Sequence, residues 1–151
     1  MTDYTVRPIR RADYTAWRAL FVGYGLFYDK PDLSAEVIDT VWRWLCDPDH
    51  VLEGLLALDA RGEAVGLAHI RACPRSLSGE EIGFLDDLYV AEHARGQGAA
   101  DAIFSAIQTL AASRNWSAVR WLTQTFNDRG RAFYDRYTGG PSDFIAYHWP
   151  T

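Results

Sequence analysis

Hydrophobic and polar residues alternate, or recur every three or four positions, along most of this chain, and the two spacings predict its secondary structure. Alternation is typical of half-buried strands, whereas the longer spacing gives a helix one apolar face. The strands predicted in this way are Tyr4–Arg10, Val51–Leu58, Ala64–Ala72, Glu81–Val90, Val119–Thr123 and Phe144–Trp149. Helices are predicted after the capping residues Asp13 and Ser34, over Gly98–Ser113 and over Asp128–Tyr137. The element order β-α-α-β-β-β-α-β-α-β indicates an α/β domain built on a mixed sheet.

Length and charge limit the possible domain organisation, location and ligands of the protein. The chain has 151 residues, of which 48% are hydrophobic, and it shows no repeat or linker, so residues 1–151 are predicted to form one domain. No apolar run is long enough to span a membrane, and the opening residues lack a secretory leader, which favours the cytoplasm. The net charge of −5 disfavours a nucleic-acid partner and favours a cationic substrate such as an amine.

The most informative segment joins a predicted strand to a predicted helix. The strand ends with Leu88-Tyr89-Val90, and Arg95-Gly96-Gln97-Gly98-Ala99-Ala100 follows. Glycines let backbone N–H groups converge and a helix N-terminus adds partial positive charge, so the segment predicts a phosphate site; the alternative is a tight turn without a ligand. It lacks the Gly-Lys-Ser/Thr ending of a P-loop, and Asp101 stands where a dinucleotide fingerprint needs a small residue. Nucleotide hydrolysis and NAD binding are therefore disfavoured.

This segment resembles the coenzyme motif of the GNAT acetyltransferases, and a second match follows at that family's spacing. The second match comprises Trp121-Leu122-Thr123-Gln124, Asn127, Gly130 and Phe133-Tyr134-Asp135-Arg136. With Tyr24-Gly25-Leu26-Phe27-Tyr28 and Asp143–Tyr147, the likeness covers most of the chain and looks closest to the histone- or polyamine-acetyltransferase-like branch. It implies the GNAT fold, a mixed and mostly antiparallel sheet flanked by helices. One departure is Gly130, because the family usually has alanine there.

The resemblance implies an N-acetyltransferase that uses acetyl-CoA. In the family, the loop holds the pyrophosphate of coenzyme A, the preceding strand pairs with the pantetheine arm, and an asparagine contacts that arm. The residues implied in cofactor binding are Leu88, Tyr89, Val90, Arg95, Gly96, Gln97, Gly98, Ala99, Ala100 and Asn127. No metal is expected, because the histidines and cysteines lack the spacing of a metal site.

Three side chains are candidates for proton transfer. An alkyl ammonium has a pKa near ~10.4, so a base must remove its proton before the amine attacks. Asp86 lies where relatives often carry a carboxylate base, and Asp87 is the alternative base. In a regular strand the two acids face opposite sides of the sheet, and a bulge would change this. The alternative is that both are ordinary strand-end acids without a catalytic role. Tyr134 matches the family's general acid, which protonates the departing thiolate.

The expected acceptor is the primary amine of a small molecule, such as a polyamine or an amino acid, which attacks directly in a ternary complex. Tyr24, Phe27 and Tyr28, on the connection between the first two helices, are predicted to bind it together with Asp87. Packing between the helices is the alternative role of the aromatic residues. The alternative functions are a non-catalytic acyl-CoA-binding or regulatory module and a protein or peptide N-acetyltransferase. The resemblance also allows a homodimer.

Overall fold

A five-stranded sheet organises the chain in the computed structural model, which describes residues 3–30 and 33–151. Its strands are β1 (Thr5–Pro8), β2 (Leu52–Leu58), β3 (Ala64–Arg75), β4 (Glu80–Val90) and β5 (Val119–Trp121). The helices are α1 (Tyr14–Phe27), α2 (Ala35–Cys46), α3 (Ala99–Ser113) and α4 (Asp128–Thr138). The strands lie in chain order; β1 to β4 pair antiparallel and β5 joins β4 in parallel. The predicted mixed, mostly antiparallel sheet is confirmed.

Helices cover both faces of this sheet, because neighbouring residues of a strand point to opposite sides. Leu67 of β3 belongs to a buried cluster with Trp17 of α1 and Ile38 of α2. The neighbouring Gly66 faces α3, where an added Cβ atom would lie 3.1 Å from Ile103. The centre of β3 is therefore covered on both sides, which explains its nearly unbroken apolar sequence.

The first helix packs through residues at helical spacing. Trp17, Leu20 and Phe21 are all buried. Burial of a large apolar side chain contributes about 1.5–3 kcal/mol, so these three residues anchor α1 to the sheet. Among the residues that the structure describes, no helix is long and apolar enough to cross a membrane.

The two predicted helix caps have different outcomes. Ser34 caps α2, since its Oγ accepts a hydrogen bond from the Val37 N–H at 3.2 Å. The predicted cap by Asp13 is wrong. Its carboxylate accepts hydrogen bonds from the guanidinium of Arg7, at 2.7 and 2.9 Å, and from the backbone N–H of Arg10. The ion pair with β1 therefore takes the oxygens that a cap would need.

By their contacts the residues group into two units. The first runs to Trp121 and contains the whole sheet with α1, α2 and α3. The second is Leu122–Thr151 and contains α4, which ends at Gly139 in a left-handed conformation with φ of 79°. That residues 1–151 form one domain remains a prediction.

The predicted strand Phe144–Trp149 is wrong. The described chain beyond Thr138 is irregular, and its large apolar side chains are exposed, from 71% at Phe144 to 90% at Tyr147. Alternating apolar residues favour an extended backbone, but a strand forms only where a neighbouring edge pairs with its N–H and C=O groups. That pairing is tertiary, and the local pattern does not determine it.

Candidate active site

Strand β4 contains a bulge at Asp86. In the register of the two described strands, His69 of β3 pairs with Asp87 and the next residue, Ile70, pairs with Leu85, so Asp86 is the extra residue. An extra residue bends the strand and breaks the alternation of its side chains. Asp86 and Asp87 consequently line the same cavity, although in a regular strand they would face opposite sides.

The cavity shared by the two acids has a volume of about 430 Å³ and lies within the first unit. Its apolar residues come from α1, α2 and the start of β2, and its charged residues come from β3 and β4. The lining residues are Phe21, Val41, Trp44, His50, Val51, Leu52, Arg71, Asp86 and Asp87. A few polar groups converging beside an apolar wall are typical of small-molecule sites. A larger cavity, about 790 Å³, includes none of the predicted site residues in its described lining.

Asp87 is held by hydrogen bonds that reach into the core. Its Oδ2 lies 2.8 Å from Nδ1 of His69, and Nε1 of Trp17 donates to Nε2 of His69 at 3.0 Å. His69 and Trp17 are both 0% exposed. Because an indole N–H can only donate, Nε2 is the acceptor and Nδ1 carries the proton donated to Asp87. The core therefore fixes both the tautomer of His69 and the orientation of the Asp87 carboxylate.

The two carboxylates differ in basicity. Burial raises the pKa of Asp87, but hydrogen bonds from His69 and Tyr24 favour the carboxylate more strongly, so the pKa lies below its ordinary value. Burial raises the pKa of Asp86 above its ordinary value, and the negative charge of Asp87 raises it further. The hydrogen bond from Arg71 Nε, at 2.9 Å, and the charge of that guanidinium lower the pKa, but by less. Asp86 is thus the stronger base, and Asp87 is the more firmly ionised.

Two of the three predicted aromatic residues lie at the end of α1 rather than on the connection after it, and Tyr28 opens that connection as predicted. Tyr24 and Phe27 are helical, and Tyr28 follows directly. Tyr24 hydrogen-bonds to Asp87, and its ring packs edge-on against Tyr28, with 5.0 Å between the ring centroids. The Arg95 guanidinium lies 5.6 Å from the centroid of the Phe27 ring. Tyr24 therefore contacts Asp87, but none of the three aromatic residues belongs to the described lining of the cavity.

The glycine loop leads into α3 through two left-handed residues. Gly96 and Gly98 have φ values of 73° and 95°, which favour glycine. Helix α3 begins directly after Gly98, and its first N–H groups lack intrahelical acceptors. Nε of Arg95 donates to the carbonyl oxygen of Val90 at 3.0 Å, which keeps this cation close to the end of β4. The segment thus has the donors and the charge that a phosphate needs.

Next to the loop, one edge of β4 is open. Strand β5 pairs with β4 only over Gly83–Leu85. Among the described strands, the continuation at Leu88–Val90 is paired with β3 on one side only. An unpaired strand edge offers N–H and C=O groups to an extended ligand. This edge begins immediately after the acid pair.

The other two predicted residues lie in the second unit. Asn127 caps α4, because its Oδ1 accepts from the Gly130 N–H at 3.2 Å while its Nδ2 donates to Oγ1 of Thr123 at 3.0 Å. A Cβ atom at position 130 would collide with the amide of Asn127, which explains the glycine in place of the more usual alanine. Tyr134 is half-buried on α4.

Trp17, His69 and Arg71 are residues of the site that the sequence motifs do not predict. A signal was present in β3, where His69 interrupts an apolar run; a buried polar side chain must find a hydrogen-bond partner. Arg71, two positions further on, shares the same face of the strand. The identity of the partners was not available from the sequence, because it depends on the pairing of β3 with β4 and on the packing of α1.

Comparison with known proteins gives a consistent result. Residues 12–139 match the Acetyltransferase (GNAT) family. The D-amino-acid N-acetyltransferase HPA3 of Saccharomyces cerevisiae is 33% identical over 132 residues, which cover 87% of this chain and 81% of that protein. A solved ribosomal-protein-alanine N-acetyltransferase from Brucella melitensis biovar Abortus 2308 has a TM-score of 0.81 at 21% identity, over 99% of both chains. The aminoglycoside N-acetyltransferase AAC(6′)-Iy, in complex with CoA, has a TM-score of 0.79 at 16% identity, over 100% of this chain and 96% of its own.

Proposed function

Because this chain belongs to the acetyltransferase (GNAT) family and is an N-acetyltransferase, we propose that it acetylates the primary amine of a small molecule by direct attack on acetyl-CoA in a ternary complex. The observation that carries the proposal is the pair Asp86 and Asp87, which line one cavity directly before the open edge of β4. An amine in this cavity would lie next to the strand along which the family binds its acetyl donor.

Acetyl-CoA occupies the open edge and the glycine loop in this proposal. Leu88–Val90 pair with the pantetheine arm, and the loop from Arg95 to Ala100 binds the pyrophosphate through its N–H groups. The left-handed glycines, the N-terminus of α3 and the nearby guanidinium of Arg95 support this assignment. Asn127 contacts the pantetheine arm, as the GNAT motif implies.

Asp86 accepts the proton of the acceptor ammonium, directly or through a water molecule. Its raised pKa makes it a better base than an ordinary aspartate, while the ionised Asp87 holds the ammonium by charge and hydrogen bonding. The neutral nitrogen then attacks the thioester carbonyl carbon, forming a C–N bond. The C–S bond breaks, and the phenol of Tyr134 donates its proton to the leaving thiolate. The nitrogen then loses its second proton to the phenolate, directly or through water, which leaves a neutral amide, the free thiol of CoA and a protonated Asp86.

The yeast relative supports a small acceptor, since its name specifies D-amino acids. The likenesses to the ribosomal-protein-alanine enzyme and to the aminoglycoside enzyme lie below 25% identity and concern the fold alone. The polyamine-acetyltransferase-like branch and a homodimer remain predictions.

The deciding experiment measures release of free thiol from acetyl-CoA with a panel of amines, and identifies the N-acetyl product by mass. The panel contains polyamines, amino acids, aminoglycosides and peptides with free N-termini. Turnover of a small amine above that of the peptides supports the proposal. Binding of acetyl-CoA, seen as a raised melting temperature, without thiol release would instead identify a non-catalytic module. Turnover confined to the peptides would identify a peptide acetyltransferase.

A further inference from the structure

Arg71 brings a positive charge into a cavity that otherwise suits a cation. Its Nε donates to Oδ2 of Asp86 at 2.9 Å, and its guanidinium carbon lies 4.6 Å from the centroid of the Phe84 ring. These two contacts fix the plane of the guanidinium. The side chain is 35% exposed and lines the cavity.

The outer end of this guanidinium is available to a ligand. A guanidinium has five N–H donors, of which Nε carries one, and the two Nη atoms carry the other four. Within the described residues, the Nη atoms of Arg71 have no hydrogen-bond acceptor. Two Nη groups in one plane match the two oxygens of a carboxylate.

A purely cationic acceptor does not explain this arrangement. A polyamine would be bound best by acids alone, because a fixed guanidinium repels a second ammonium. An α-amino acid carries an ammonium and a carboxylate on the same carbon atom. Arg71 and Asp86 are in direct contact, so a carboxylate on the Nη atoms would place an adjacent ammonium beside the Asp86 carboxylate. The charges of the cavity therefore match a zwitterion.

The remaining wall of the cavity is apolar. Phe21, Val41, Trp44 and Val51 would lie around the side chain of such a ligand. A volume of about 430 Å³ belongs to the lower part of the range of about 300–1,000 Å³ that small-molecule sites occupy. It accommodates one amino acid with a large apolar side chain.

We infer that the acceptor is an α-amino acid, with Arg71 binding its carboxylate and Asp86 and Asp87 binding its α-amino group. The inference rests on the proposed function and makes it more specific. Arg71 sets the preference between acceptors and is not the base.

The test compares acceptors that differ only in the carboxylate. Suitable pairs are phenylalanine with 2-phenylethylamine and methionine with 3-(methylthio)propylamine, with both enantiomers of each amino acid. The wild-type protein should favour one enantiomer of the amino acid over its amine by roughly 10- to 100-fold in kcat/KM, the range that a charge-assisted hydrogen bond supports. Equal kcat/KM within each pair would overturn the inference and leave the proposed function intact.

Substitution of Arg71 then separates recognition from an effect on the base. In Arg71→Gln the preference should fall to near unity, mainly through a higher KM for the amino acid, and in Arg71→Lys part of it should remain. Arg75→Gln, on the same strand but outside the described lining of the cavity, should keep the wild-type preference. An equal loss for both members of a pair would mean that Arg71 acts only through Asp86, which would contradict the inference.

A binding measurement keeps the test decisive even without turnover. In the presence of CoA, calorimetry with N-acetylphenylalanine and N-acetyl-2-phenylethylamine probes the carboxylate site after the amine has lost its charge. The wild-type protein should bind the first at least tenfold more tightly, and Arg71→Gln should abolish the difference. Equal affinities in the wild type would overturn the carboxylate site, whereas tight binding without acetylation of any acceptor would refute only the proposed function.

Discussion

The glycine loop and the acid-lined cavity are built in opposite ways. In the loop, the hydrogen bonds join near neighbours: Arg95 to Val90, five positions away, and Gln97 to His93, four positions away. In the cavity they join distant residues. Trp17 and His69 are 52 positions apart, His69 and Asp87 are 18 apart, and Arg71 and Asp86 are 15 apart.

This difference has consequences for how each region responds to substitution. The loop depends on the conformation of a few consecutive residues, so a change there should alter affinity for acetyl-CoA with little effect on the core. The cavity depends on strand register and core packing, so a substitution there should change the kinetics with the acceptor. At buried positions it should also lower the free energy of unfolding. Substitutions in the two regions should therefore separate these measured quantities.

The largest effect is expected in the cavity, from Asp86→Asn. The amide keeps the size of the side chain but cannot accept the ammonium proton, so kcat/KM for the acceptor should fall by about 10²–10⁴-fold. The Kd for acetyl-CoA should change by less than about twofold, because Asp86 lies before the open edge of β4. Asp59→Asn, at an exposed turn, is the control and should retain full activity. A loss of acetyl-CoA affinity equal to the loss of activity would mean that the two regions are not separable.

Tyr134 belongs to neither region, so Tyr134→Phe tests whether a residue outside the cavity takes part in catalysis. We expect kcat to fall by roughly 10²-fold, at the lower end for general acid catalysis, because a thiolate with a pKa near ~8.5 is a tolerable leaving group. The Kd for acetyl-CoA should remain unchanged. Single-turnover rates decide the outcome if product release limits kcat, and a rate within twofold of wild type would remove Tyr134 from the mechanism.

At the buried end of the cavity, His69→Leu should cost stability as well as activity. It leaves the N–H of Trp17 and the carboxylate of Asp87 without their partner, which costs about 1–3 kcal/mol of unfolding free energy. Urea denaturation measures this loss. His69→Gln keeps a donor and an acceptor and should recover part of the stability and the acceptor KM. The exposed His93→Leu should stay within about 0.5 kcal/mol of wild type; a similar change in both leucine variants would contradict a special role for His69.

In the loop, Gly98→Ala should weaken acetyl-CoA binding without affecting the acceptor. An added Cβ at Gly98 meets no atom within 4 Å, so the only penalty is the φ of 95°. Alanine disfavours the left-handed conformation, so the variant loop must return to it when acetyl-CoA binds. This costs about 1–2 kcal/mol of binding free energy, equivalent to roughly 5- to 30-fold in Kd. Gly62→Ala is the matched control, since Gly62 has a φ of 81° with equal free space but lies in the β2–β3 turn. Equal Kd values for both variants and wild type would refute the loop as the coenzyme site.

The smallest effect concerns the opposite pKa shifts of the two acids. Asp87 has a lowered pKa in the folded state, so it contributes stability above its unfolded pKa of about 3.9, and this is lost as the pH falls through the folded value. Asp86 has a raised pKa, so its ionisation opposes folding as the pH rises through that value. On acidification from pH 6 to pH 3, Asp87→Asn should therefore lose less stability than wild type, and Asp86→Asn should lose more. Urea midpoints measured along this pH range give the slope of stability against pH for each variant. If both variants change this slope in the same direction relative to wild type, the opposite pKa shifts of Asp86 and Asp87 are contradicted.

Those parts of the molecule whose information is local can be predicted from the amino-acid sequence. Helical spacing, the cap at Ser34, the β2–β3 hairpin and the glycine loop are each encoded within a short window, and the matching motifs were sufficient to identify the GNAT family. The glycine at position 130 also has a local cause, the contact with the Asn127 side chain three positions before it, but from the sequence it is only a departure from the family's usual alanine.

The assembly of the site depends on contacts between residues that are distant in the sequence. The bulge that turns Asp86 towards the same cavity as Asp87 is a property of the pairing of β3 with β4, and without it the two acids would face opposite sides of the sheet. The partners of Asp87 and Asp86, which are His69 and Arg71, follow from the same register. The predicted strand Phe144–Trp149 is wrong for a related reason. Propensity acts along the chain, whereas pairing and burial depend on residues that are distant in sequence, and no local window contains them.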